Sequence, residues 1–248
     1  MIRKRLITVL TFNNGILFRT KYFIPDYRYT FNFVDTWSVD EIIVLDVTRP
    51  GEGERENFYS VLYQLAEKCF VPLAAGGKVR SITDFHMLLS IGADKVTINS
   101  EAFRNPKIIA EAARIFGSQC VVVSIDAKKM PGGGYEVYID NGTQPTGMNP
   151  AAWAQTAADY GAGEILITSI DKDGSLEGYD NDLNRQVSEA VNIPVMVCGG
   201  AGKWQDFVDG IDQGKAMAVC TTNIYHFTEK SIRSAKIYMN EAQINVRL

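Results

Sequence analysis

The chain has 248 residues, 46% of them hydrophobic and 22% charged, with a formal net charge of −4 and an isoelectric point near 5.3. That balance suits one large core or two small domains and excludes a disordered chain. It also excludes wholesale nucleic-acid binding, because a phosphate backbone needs a positive surface; a local anion site stays open.

In chain order, Met1-Ile2-Arg3-Lys4-Arg5 leads into an apolar stretch too short for a secretion signal, and no later run approaches the ~18 apolar residues of a membrane span. A cytoplasmic location without membrane contact is expected. Short β-branched runs then alternate with amphipathic stretches of helical length: Leu6–Thr11, Glu41–Val47, Val71–Ala75, Lys95–Asn99, Cys120–Asp126, Glu164–Ser169, Ile193–Cys198 and Ala216–Thr221. Strands separated by helices predict parallel β-α-β units. Met130-Pro131-Gly132-Gly133-Gly134 marks a turn between two strand-like pieces. Cys69, Cys120, Cys198 and Cys220 lie far apart, three of them in apolar runs, and read as buried free thiols. His86, on a predicted helix, and His226 read as packing or surface residues, so neither a metal nor a cofactor is expected.

The two halves of the chain resemble each other. Asp40-Glu41-Ile42-Ile43 returns as Gly163-Glu164-Ile165-Leu166 and Gly76-Gly77 as Gly199-Gly200, 123 positions later, and Val71-Pro72-Leu73 returns as Ile193-Pro194-Val195, 122 positions later. Two half-units of four strands predict an α/β fold, a single (β/α)8 TIM barrel of residues 1–248 with half-barrel duplication. An open doubly wound sheet has the same alternation but gives no reason for equivalent halves.

In such a barrel the chemistry sits where strands end. The groups there are Thr11, Asp46, Gly76-Gly77, Asn99-Ser100, Asp126, Ser169 with Asp171 and Asp173, Gly199-Gly200 and Thr222-Asn223. Each glycine pair precedes a helix whose free N–H groups suit an anion, which predicts two phosphate sites on opposite sides of the mouth, with Lys78 either adding a cation to the first or simply solvated. At the other face Arg5, Glu41, Lys95 and Glu164 each open a strand with alternating sign. They predict a ring of ion pairs closing the floor, either a structural layer or a functional one.

Several segments carry a family resemblance: Gly92-Ala93-Asp94-Lys95-Val96 with Ile98-Asn99, Phe116-Gly117-Ser118-Gln119, Ile125-Asp126-Ala127-Lys128, Gly161-Ala162-Gly163-Glu164-Ile165-Leu166, Thr168-Ser169-Ile170-Asp171 with Asp173-Gly174, Gly178-Tyr179-Asp180 and Gly199-Gly200-Ala201-Gly202. From end to end the chain resembles the cyclase subunit of imidazole glycerol phosphate synthase, the ammonia-using half of a glutamine amidotransferase in histidine biosynthesis. The resemblance implies a lyase-type synthase subunit and two phosphate sites, to which Gly174 belongs. It also implies a glutaminase subunit docked on the floor to make a heterodimer, with Asp94 and Gln119 at that interface. Ammonia would pass through the ring of Arg5, Glu41, Lys95 and Glu164 and along the barrel axis.

The family's chemistry uses two aspartates, ending strands one and five, as general acid and base. Asp126 is the second, but Thr11 stands at the first, and a hydroxyl cannot exchange a proton near neutral pH as a carboxylate does. A lysine expected in loop one is Arg19, suited to clamping a phosphate, followed by Lys21-Tyr22-Phe23-Ile24-Pro25-Asp26-Tyr27-Arg28-Tyr29, whose tyrosines suit stacking on a base or sugar. Lys78 replaces a third glycine. These departures all lie on the substrate face. The expectation is a divergent paralogue that keeps the ammonia conduit and glutaminase but serves another phosphorylated or nucleotide-linked acceptor. The family resemblance includes paralogues of surface-polysaccharide gene clusters that supply ammonia for an acetamidino group on a nucleotide-linked sugar, with a third protein activating the acceptor. The alternatives are the histidine-pathway cyclase itself, with Asp46 or Asp171 supplying the missing carboxylate, and a non-catalytic scaffold that activates a glutaminase.

Overall fold

The computed structural model describes residues 3–28, 39–49, 51–222 and 231–248. Its strands are, in chain order, β1 (Arg5–Asn13), β2 (Ile16–Lys21), β3 (Ile24–Arg28), β4 (Glu41–Asp46), β5 (Leu73–Gly76), β6 (Lys95–Ile98), β7 (Val121–Lys129), β8 (Tyr135–Ile139), β9 (Gln144–Pro145), β10 (Glu164–Ser169), β11 (Val195–Cys198) and β12 (Ala218–Thr221). The helices are α1 (Arg55–Ala66), α2 (Ile82–Ile91), α3 (Ser100–Arg104), α4 (Lys107–Phe116), α5 (Pro150–Asp159), α6 (Asn181–Ala190), α7 (Trp204–Asp212) and α8 (Ser231–Glu241).

All eight predicted runs become barrel strands. β1 pairs in parallel with β4, and the ladder continues through β5, β6, β7, β10, β11 and β12 back to β1, closing the sheet. The fold is therefore the expected TIM barrel. β5 and β11 begin two residues later than predicted, at Leu73 and Val195, directly after Pro72 and Pro194. A proline has no N–H to give a ladder, so the pairing starts beyond it.

β1 and β7 are nine residues each and run past the barrel rim into hairpins. β1 turns through Asn14-Gly15, both at positive φ, into β2 and β3, the pairing a type I′ hairpin favours. β7 turns through the predicted Met130–Gly134 segment into β8 and β9. These hairpins overhang the mouth from opposite halves of the repeat.

The strand pleat sends alternate residues to two cores. Outward-facing residues such as Leu6, Ile42, Val96 and Val121 pack with Phe58, Phe85 and Phe207 of the helices, all buried. Inward-facing Ile7, Ile43, Ala74, Val122, Met196, Ala218 and Cys220 form a separate apolar barrel interior. This inner layer separates a charged floor from a polar mouth. All four cysteines are free, but only Cys198 and Cys220 are fully buried; Cys69 and Cys120 are half-buried. His86 is exposed on α2, and His226 lies outside the described residues.

Candidate active site and barrel floor

Thr11 and Asp126 occupy matching places, each where a long strand passes from barrel into hairpin: Thr11 faces Phe18 of β2, and Asp126 faces Tyr138 of β8. Their environments differ. The Thr11 hydroxyl donates to the Phe18 carbonyl at 2.6 Å, tying the first hairpin to the barrel. A carboxylate there would set an acceptor against an acceptor. Asp126 accepts a hydrogen bond from Asn99 Nδ2 at 2.8 Å. Burial pushes its carboxyl up to about 7, the Asn99 bond opposing the rise and the Asp173 charge adding to it. At neutral pH it is present in both protonation states, so one group can take a proton and return it.

Both residues line a cavity of about 650 Å3. Of the two acids weighed from sequence, Asp46 is occupied, since its Oδ2 lies 2.8 Å from Arg55 and its Oδ1 accepts the Thr48 N–H at 3.1 Å. Asp171 accepts the Lys129 N–H at 2.8 Å and is off the cavity lining. Besides Asp46, Asp173 is a buried carboxyl that lines the cavity with Asp126. Burial raises it as well, while bonds from the Phe23 N–H and the Thr20 hydroxyl and the Arg19 charge oppose the rise. Those bonds show its occupation: Tyr22 N–H donates to the Asp173 carbonyl at 3.1 Å and Phe23 N–H to its Oδ2 at 3.0 Å. A Cβ on neighbouring Gly174 would overlap the Thr20 carbonyl, so the hairpin rests directly on this segment. Of the two residues expected at a phosphate, Gly174 meets the hairpin and the Arg19 charge acts on Asp173.

The remaining predicted groups divide between two pockets. Asp46, Gly77, Lys78, Asn99, Ser100 and Thr222 line the large cavity. Gly199, Gly200, Gly174 and Thr222 line a second one of about 10 Å3, room for about one water. Gly76 and Ser169 are buried and line neither, and Asn223 lies outside the described residues. The glycine pairs have a steric reason besides any anion: a Cβ on Gly77 would overlap the Asp46 carbonyl, and one on Gly200 the Gly178 carbonyl, both at positive φ.

The helix ends are less open than expected. Asp84 Oδ2 accepts the Arg80 and Ser81 N–H groups at 2.8 and 2.9 Å, and Asp206 does the same for Gly202 and Lys203 at 2.8 and 2.9 Å. Lys78 has a left-handed backbone of the kind glycine favours, with φ +53, an arrangement costing an ordinary residue about 1–2 kcal/mol. Cys198 also lines the mouth, but burial pushes its thiol up to about 12, which removes it as a nucleophile.

The floor is the predicted ring, closed. Arg5 lies 2.6 Å from Glu41 and 2.8 Å from Glu164; Lys95 lies 2.9 Å from Glu41 and 2.8 Å from Glu164. Burial pushes the Glu41 carboxyl up against the pull of Lys95 and Arg5, the Glu164 charge adding to the rise. Burial works against the Arg5 charge, yet the two glutamates outweigh it and raise its pKa. Asp94 and Gln119 are exposed at this same end, just before β6 and β7. Asp94 Oδ2 accepts the Leu73 N–H at 2.8 Å, and Gln119 Nε2 donates to the Phe116 carbonyl at 3.3 Å.

A family model described as "Histidine biosynthesis protein" matches residues 9–231, spanning Thr11, Asp126 and three of the four ring positions. The chain belongs to this histidine biosynthesis protein family. As a family member it has the expected barrel, and no helix among its described residues is long and apolar enough to cross a membrane. Among those residues no three His, Cys, Asp or Glu side chains are grouped to hold a metal.

Sequence reasoning missed part of this family member's mouth. Arg49, Arg80 and Arg104 line the cavity from turns whose polarity looked ordinary. Thr97, Ser124 and Thr168 also line it, and inward alternation on strands ending at Asn99, Asp126 and Ser169 was the signal for them. Tyr22 is half-exposed at the hairpin tip, while Tyr29 lies outside the described residues.

Proposed function

We propose that the chain is the ammonia-accepting barrel of a glutamine amidotransferase, serving an acceptor other than the histidine-pathway substrate. The observation that carries this is the combination of a closed four-member ion-pair floor with a mouth holding Thr11 opposite Asp126. The ring excludes bulk water from an apolar axis lined by Ile7, Ile43, Ala74, Val122 and Met196, through which neutral ammonia passes at little desolvation cost. A glutaminase docks on the ring face, around Asp94 and Gln119, and makes the ammonia. At the mouth, ammonia attacks the amide carbon of an acetamido group on a nucleotide-linked sugar, whose oxygen a third protein has already activated; the C–N bond forms, the activated oxygen departs with its activating group, and an acetamidino group is left. Asp126 takes the proton that the attacking nitrogen must lose, a role for which one carboxyl titrating near 7 suffices.

The histidine-pathway cyclase is the second reading, favoured by Asp173, a second buried carboxyl on the same cavity. Two measurements separate them. In a histidine auxotroph lacking the cyclase, this chain is expected to give no growth, and wild-type growth would return it to histidine synthesis. With its glutaminase, activating enzyme and N-acetylated nucleotide sugar, amide-15N glutamine is expected to label the sugar, and Asp126→Asn to lower labelling at least about 100-fold. Labelling that survives Asp126→Asn sinks the assigned role of that residue.

A further inference from the structure

The rim of the mouth is electrically one-sided. Arg49 and Arg80 line the large cavity, and among the described residues neither guanidinium has a carboxylate partner. Lys78 lines it with them; its nearest acid, Asp46, is 4.0 Å away and already held by Arg55 at 2.8 Å. Their counterparts 123 positions on differ. Lys172 is engaged with Glu177 at 3.5 Å, Ala201 stands for Lys78, and Lys203 is off the lining of the small second pocket, which has no cation among its described residues.

Two further observations point the same way. Lys78 holds a left-handed backbone that glycine would adopt without strain, so its side chain is retained at a conformational cost. The α2 end beside it has given its Arg80 and Ser81 amides to Asp84, so attraction for an anion on this side comes mainly from side chains.

We propose that Arg49, Lys78 and Arg80 form a diphosphate site on the first-half side of the mouth, holding a nucleotide-linked acceptor whose sugar end reaches toward Asp126. Two guanidinium forks and an ammonium match a compact group carrying several negative charges. A ligand with one phosphate at each end is the poorer fit, because among the described residues no lysine or arginine lines the second pocket. This rests on the acceptor reading above and adds where, and by which charges, the acceptor is held.

Calorimetric titration of the purified chain with inorganic pyrophosphate, inorganic phosphate and uridine diphosphate tests it. Pyrophosphate and uridine diphosphate are expected to bind at least tenfold more tightly than phosphate, and more weakly as salt is raised. Lys78→Gly and Arg80→Ala should each weaken pyrophosphate about tenfold, Lys203→Ala should leave it unchanged, and Lys78→Gly should hold or raise Tm because the strain is relieved. Equal affinity for phosphate and pyrophosphate, indifference to both rim variants, or an equal loss with Lys203→Ala would overturn the site. The titration contains no glutaminase and reads no turnover, so pyrophosphate binding without nitrogen transfer would defeat only the amidation reading, and transfer without pyrophosphate binding only this one.

Discussion

At the scale of single residues, three buried acids of the mouth are held differently: Asp46 is paired with Arg55, Asp173 accepts from the hairpin, and Asp126 is pushed up to about 7. Thr11 and Asp126 share a position in the repeat but not a chemistry: one donates to a backbone carbonyl, the other holds a buried proton. That proton sets a pH dependence. The folded Asp126 carboxyl titrates near 7 against an ordinary 3.8, so from about pH 4 to 7 the native state keeps a proton that the unfolded chain releases. Stability from this group is greatest at low pH, falls as pH rises through that window, and is lowest above 7. Asp126→Asn keeps an acceptor for Asn99 and removes the buried charge, worth on the order of 3–4 kcal/mol. Thermal melts should therefore show a Tm gain of about 5 °C or more at pH 8 and far less at pH 5. Equal gains at both would mean that Asp126 does not titrate as described.

At the scale of elements, the β2–β3 hairpin is held by a balance of opposed forces. Its turn residues Tyr22 and Phe23 have φ of +53° and +63°, each costing an ordinary side chain about 1–2 kcal/mol. Against this stand the Phe23 bond to the Asp173 carboxylate and the Tyr22 bond to its carbonyl, the first being of the charge-assisted kind worth about 1.5–3 kcal/mol. The two sums are similar, so the hairpin should open easily once the carboxylate is removed. Tryptic cleavage after Lys21, read by mass spectrometry, is expected to quicken about tenfold in Asp173→Ala and little in Asp173→Asn, whose amide oxygen still accepts the Phe23 N–H. Unchanged cleavage in Asp173→Ala would show that other contacts hold the hairpin.

At the scale of the molecule, the barrel puts the charged ring and the acid on opposite sides of an apolar layer, the arrangement on which the proposed ammonia path rests. Each ring carboxylate meets both cations, so removing one cation leaves two glutamates on Arg5 alone. Lys95→Met should lower stability by about 2–4 kcal/mol in denaturant melts, less than a fully buried pair because the lysine is partly exposed. In the glutaminase pair, glutamine hydrolysis should continue while nitrogen delivery to the acceptor falls. Coupling that stays at one product per glutamine would remove the ring from the ammonia path.

The sequence by itself determined the barrel, its duplication and its two chemical faces. Runs rich in β-branched residues, a proline repeat 122 positions apart, a Gly-Gly repeat 123 positions apart and charges opening the strands are local signals, and a closed parallel barrel turns strand ends into faces with no further choice. Asn14-Gly15 carried a hairpin signal of the same local kind. Only the tertiary structure decided which groups are engaged. Asp46 and Asp173 are equal as letters, yet Arg55 neutralises one and the hairpin clamps the other. Arg49 and Arg80 meet because the βα turns bring them to one rim, where among the described residues neither has a carboxylate partner, and Asp126 titrates near 7 because it is buried. Burial and long-range pairing are properties of the assembled barrel, and no stretch of sequence contains them.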